Sequence, residues 1–135
     1  MIPFHIDLAS GEPIYEQVAY AAKKAMIAGQ LRPGDPFPSV RVLSQELKIN
    51  PNTAHKVIAQ LIAEGLIEVR PGLGCVVTSI PGSTAAERGN LLKKQVEELV
   101  VEAKRLGLEL TDLTGAVTGH WERLDGSVRP RRKSK

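Results

Sequence analysis

The sequence predicts a mainly α-helical fold with one small β-hairpin, followed by a separate appendage of two helices. Three observations predict it. Apolar residues recur at helical spacing in three successive stretches between Pro13 and Glu64. Two short β-rich runs around a glycine-containing turn come directly afterwards. Pro81-Gly82-Ser83 then reads as a joint before a further pair of helical patterns.

Each element has its own signals. Phe4, Ile6 and Leu8 alternate with His5 and Asp7, which predicts an extended amino-terminal arm. Pro13 suits a first helical position because its missing N–H has no partner to lose there. From there to about Ala28, Ile14, Val18, Ala21, Ala22 and Ala25 mark an apolar face, and Gly29 is a natural stop. Residues 31–38 hold three prolines and Gly34 and are expected to form no regular structure. Ser39 can cap a short second helix to about Lys48, with Val42 or Leu43 and Leu47 facing inward. Asn50-Pro51 repeats the start signal, so a third helix is predicted from Pro51 to about Glu64, closed by Gly65. Its apolar stripe is Ala54, Val57, Ile58 and Leu61, with Asn52, Lys56, Ala59 and Ala63 roughly opposite. Residues 66–70 and 75–78 are the predicted strands, joined by Pro71-Gly72-Leu73-Gly74.

Beyond the joint, Leu92, Val96, Leu99, Ala103 and Leu106 step by four and three, predicting one long helix from about Thr84 to Leu106. Gly107 breaks it. A last helix from about Glu109 to Arg123 carries Leu110, Leu113, Val117 and Trp121. The expected division is therefore 1–80 for the first unit with its arm, 83–125 for the helical appendage, and 126–135 for a disordered tail.

Composition narrows the function. A chain of 135 residues has room for one domain, or one small domain with an appendage. No apolar run is long enough to span a membrane, and the first residues lack the pattern of a secretory signal. The single cysteine, Cys75, cannot form an intrachain disulfide or a multi-cysteine zinc site. His5, His55 and His120 have no ligand-type partner at helical spacing, so no metal and no cofactor is expected, and no nucleophile–base pair suggests an enzyme. The expectation is a small cytoplasmic protein that binds rather than catalyses. Its net charge of +3 is a property of the tail, because residues 127–135 hold five bases and no acid. The other 126 residues carry 13 bases against 15 acids, a net of −2. Local distribution is more informative: no acid lies between Glu46 and Glu64, where Lys48, His55 and Lys56 are found.

Residues 39–64 have the proportions of a helix-turn-helix, whose second helix needs one side fixed on a core and an open side that fits the major groove of duplex DNA. Asn52 offers an acceptor and a donor suited to an adenine edge, Thr53 a hydroxyl and a methyl, and Lys56 a point charge. Ser39 and Arg41 lie at the start of the preceding helix, where Arg41 could hold a phosphate bidentately. The hairpin would then be a wing, with Arg70 at its rim and Gly72 and Gly74 letting the backbone approach closely. In the appendage, Leu92, Val96, Leu99, Ala103, Leu106, Leu110, Leu113 and Val117 form a stripe too long for two helices to cover alone, and a second copy of the chain is the simplest cover. Trp121 suits the same interface. The rival reading is a winged helix that recognises another protein and has no operator.

Pro13-Ile14-Tyr15-Glu16-Gln17, Leu31-Arg32-Pro33-Gly34-Asp35, Pro38-Ser39-Val40-Arg41, Asn52-Thr53, Glu64-Gly65-Leu66-Ile67 and Gly72-Leu73-Gly74 together resemble the DNA-binding domain of GntR-family transcription regulators. The resemblance covers roughly residues 10–78, and the short appendage is similar to that of the YtrA subfamily. It implies a bacterial homodimeric repressor that binds a palindromic operator, often near a transporter operon and its own gene. It also implies that Arg41, Asn52, Thr53, His55 and Gly72 approach DNA. A small-molecule effector is left open by it. Two departures stand out: Pro51 and His55 replace residues that are basic in many relatives, and Val40 replaces a commoner glutamate.

Overall fold

The computed structural model describes Ile2, Phe4, Ile6 and residues 11–125, which fall into two compact units meeting between Pro81 and Gly82. Leu8, His5 and the basic tail lie outside the described residues. The order is α1 (Ile14–Ile27), α2 (Val40–Leu47), α3 (Pro51–Ala63), β1 (Ile67–Arg70) and β2 (Gly74–Val77) in the first unit. The second holds α4 (Ala85–Gly89), a π-helical stretch (Asn90–Gln95), α5 (Val96–Arg105) and α6 (Leu110–Arg123). The expected mainly helical class with one hairpin is what the chain adopts.

In the first unit α3 is central and packs against both α1 and α2. Its inner positions Ala54, Val57 and Leu61 are fully buried, as are Val18 and Ala22 of α1 and Leu43 of α2. Small residues at Ala19, Ala22 and Ala25 give α1 a shallow inner face, which lets a neighbouring backbone come close. Ile14, expected inside, is 43% exposed, while its neighbour Tyr15 packs against the core; Ala19 and Met26 are buried as well. Phe4 of the arm is buried and stacks on Phe37 with centroids 6.1 Å apart, and Ile2 and Ile6 pack against the same core.

The helix ends follow their signals. Ser39 Oγ accepts the Val42 N–H at 3.2 Å, and Asn50 Oδ1 accepts the Asn52 N–H at 2.7 Å, with Pro51 at the first turn. Gly65 ends α3 at φ 75°, where its N–H donates to Ile62 and the Leu66 N–H to Leu61, two bonds that satisfy carbonyls no longer helical partners. A Cβ at Gly65 would lie 3.2 Å from Pro81 Cγ, so this turn has little room as well as a left-handed backbone.

The hairpin pairs Ile67 with Val77 and Arg70 with Gly74 in antiparallel register. The proline-rich connection forms no helix or strand, as expected, yet it is bonded to the hairpin: Gly34 N–H donates to Val77 O at 2.7 Å, Val77 N–H to Asp35 O at 2.8 Å, and Phe37 N–H to Cys75 O at 2.8 Å. Pro36 faces Val76 at the position between these bonds, where the N–H it lacks would point away from β2. Three prolines in eight residues read as irregular, yet their neighbours supply every N–H the pairing needs.

The second unit has almost no interior. Thr84 and Glu87 form a reciprocal cap that opens α4, and Gly107 ends α5 at φ 79°. Between α4 and α5 the expected continuous helix contains a π turn, in which the Val96 N–H donates to Leu91 O five residues back, accommodating an extra residue in the helical path. Among its described apolar residues only Ala103 is buried, and Val100, Leu113 and Leu124 are half-buried; Leu92, Val96, Leu99, Leu106, Val117, Leu110 and Trp121 are all exposed, the last two at 74% and 71%.

Candidate nucleic-acid interface

Burial of Ala54, Val57 and Leu61 fixes α3 by one side, and it leaves Asn52, His55, Lys56, Ala59 and Gln60 exposed on the rest of its circumference. This outward surface is polar apart from Ala59 and Ile62, the latter 41% exposed, and it carries no acid until Glu64. Thr53 is half-buried, so only part of its side chain reaches solvent. Arg41 is exposed on the first turn of α2, one residue into the helix that Val40 begins. Ser39 is exposed too, and its cap uses an acceptor lone pair of the hydroxyl, leaving the O–H as a donor.

Side-chain partners tune two of the basic residues. The Lys56 ammonium lies 5.6 Å from the centre of the Tyr15 ring, within range of a cation–π attraction that limits where the lysine swings. The Tyr15 hydroxyl donates to Glu16 at 3.2 Å, and this hydrogen bond to a carboxylate raises the phenol above its ordinary range. Arg70 of the wing is exposed and donates through Nε to Glu68 at 2.6 Å, so any anion must compete with that carboxylate for it. At the wing tip the Leu73 N–H closes the turn on Arg70 O at 3.0 Å, with Gly72 and Gly74 at φ 78° and 81°. Gly72 is exposed there, and a side chain at either glycine would strain the turn.

Sequence reasoning placed Lys48 in the acid-free stretch but missed Tyr15 as part of this surface. Tyr15 sits in a motif that was legible, but its contact with Lys56 joins two helices and leaves no local signal. Gln17 of the same motif donates to the Glu12 carbonyl at 2.8 Å, bracing the start of α1. A second tie between α1 and α3 joins Lys23 to Glu64 at 2.8 Å, the same distance farther along both helices as Tyr15 is from Lys23.

Partial burial works against the Glu64 carboxylate, but hydrogen bonds from Lys23 and Gln60 and the lysine charge outweigh it and hold the group below its ordinary range. A depressed folded-state value means the tie stabilises above the ordinary glutamate range and is lost as pH falls through the lower folded value. Both partners are substantially exposed, so the effect is small. Lys23→Met is expected to lose about 0.3–0.5 kcal/mol at neutral pH and progressively less as pH falls below the ordinary glutamate range, read from paired thermal melts. A loss that stays the same as pH falls would contradict the assignment.

Among the described residues no cluster of His, Cys, Asp and Glu could hold a metal ion, and no helix is long and apolar enough to cross a membrane. Comparison with known proteins bears on this geometry directly. The profile of the family described as bacterial regulatory proteins, gntR family, matches residues 14–77, which run from the start of α1 to the end of the wing. The transcriptional repressor YtrA of Bacillus subtilis is 37% identical over 80% of this chain and 84% of its own. The solved structure of YtrA from Sulfolobus acidocaldarius, a GntR-family transcription factor, covers 73% of this chain and 98% of its own at 32% identity and a TM-score of 0.58. A Listeria monocytogenes structure described as a transcriptional antiterminator shares the fold over 93% of this chain and 95% of its own, with a TM-score of 0.79 at 21% identity. The helix-turn-helix, its glycine wing and the short helical appendage thus have one common account: the chain belongs to the GntR family of bacterial regulatory proteins and, within it, to the YtrA-like regulators.

Proposed function

We propose that this regulator is a homodimeric repressor that reads a palindromic operator with α3 and steadies itself on the sugar-phosphate backbone with α2 and the wing. The outward face of α3 carries the reading: it is mainly polar, free of acid, and held from behind by three buried residues. The Bacillus subtilis relative is itself a transcriptional repressor. Asn52 is the base reader, because an exposed amide can pair bidentately with adenine, with Thr53 and His55 beside it. Arg41, Ser39, Lys56, Arg70 and the backbone at Gly72 are the phosphate and sugar contacts. Selection of bound duplexes from a random pool tests this reading. Enrichment of a two-fold motif supports it, and absence of any binding at low salt overturns it.

Two substitutions separate holding from reading. Arg41→Ala should weaken all duplexes alike and flatten the salt dependence by about one phosphate contact. Asn52→Ala should cost about 1–3 kcal/mol on the selected operator and relax preference at one base pair. Equal losses on matched and mismatched operators would remove Asn52 from the base-reading role. Val69 and Leu73, exposed apolar residues of the wing, are what a protein-recognition reading would rest on instead. Such a partner would be held with little sensitivity to salt.

A further inference from the structure

Among the described residues Lys48 is the only non-glycine with positive φ, held at φ 57° and ψ 47° in the turn between α2 and α3. A Cβ in this left-handed conformation crowds the following carbonyl, a cost that glycine does not carry. The turn gives Lys48 no escape. Its N–H donates to Ser44 O, the next N–H, of Ile49, donates to the same carbonyl at 3.1 Å, and Leu47 and Ile49 on either side both pack against the core. Glycine would be the more stable occupant. What lysine adds is a charge: the residue is exposed, stands two residues before the Asn50 cap of α3, and lies in the acid-free stretch after Glu46. The positive end of the α3 dipole also favours an anion here, and Lys48 places a cation at that same end.

We infer that Lys48 is a further phosphate contact of the DNA interface, a charge kept at a backbone position where it lowers the stability of the fold. The inference rests on the DNA-binding reading above and adds a residue to it. Its mark is a pair of opposite effects from one substitution. Full-length Lys48→Gly should melt a few degrees higher than the parent chain, since relief of the left-handed strain exceeds the lost attraction between the lysine and the end of α2. The same variant should bind a labelled duplex of mixed sequence about three- to tenfold more weakly at low salt, with the log–log salt slope shallower by about 0.9. Lys48→Arg should restore both affinity and slope. Unchanged affinity and slope in Lys48→Gly, with the parent chain binding normally, would overturn the contact alone. A lower melting temperature in Lys48→Gly would overturn the strain argument. Failure of the parent chain to bind any duplex is a separate result, and it removes the DNA-binding reading itself.

Discussion

Ending the chain at Pro81 is expected to lower affinity for a two-fold operator by about 10²–10⁴-fold while leaving the first unit folded. The expectation combines two observations. Every buried residue of the first unit's core lies at or before Val77, so the cut removes none of its packing. The removed segment, by contrast, buries only Ala103 and exposes Leu99, Leu106, Leu110 and Val117 at about half or more of their surface. Apolar exposure on this scale marks an interaction surface, and a two-fold pairing covers the same patch on both copies at once. Without it, two reading heads bind independently and the gain from linking them disappears. Leu99→Glu combined with Leu106→Glu should reproduce the loss in the full-length chain. Sedimentation should give twice 14.6 kDa for the parent and 14.6 kDa for the double variant. A parent chain that stays monomeric at micromolar concentration, or a truncated one that keeps full operator affinity, would sink the proposal of a dimer.

Leu61→Ala is expected to cost about 2–5 kcal/mol of stability, since truncating a fully buried leucine leaves a cavity as well as losing its transfer energy. For a domain whose whole stability is commonly about 5–15 kcal/mol, the change should lower the melting temperature by more than about 10 °C. Leu61 faces inward, so binding measured well below the melting temperature should survive. A melting temperature within about 2 °C of the parent would show that α3 is held by something other than this contact.

Much of this was legible in the sequence because helix ends are local chemistry. Ser39 and Asn50 are caps whose oxygen meets an N–H two or three residues on, and Gly65 and Gly107 stand where a left-handed turn is needed. The inner stripe of α3 was legible for the same reason: spacing along one helix decides which side is buried. What escaped depends on distant neighbours or on exceptions to propensity. The pairing of Gly34 and Phe37 with β2 involves residues some forty positions away, and the intervening prolines argue against it. Tyr15 over Lys56 is likewise a meeting of two helices. Arg70 was legible as a basic residue on the wing, but its engagement with Glu68 required the side-chain geometry. The left-handed backbone of Lys48 escaped because no property of lysine announces it; the turn imposes it.

The strap of residues 34–37 has a consequence for how copies of the chain avoid sticking together. A two-stranded ribbon has two raw edges, and an unpaired edge is a template on which another chain can add a strand. Here one edge of the ribbon is already occupied, because β2 is bonded to the strap as well as to β1. The remaining edge belongs to β1, only four residues long, where Glu68 and Arg70 alternate with Val69. A strand added there would have to accommodate both charges and break their ion pair. The prolines that look like a gap in the fold thus help confine the wing to a small, guarded ribbon, and β-sheet growth from molecule to molecule finds no inviting start on it.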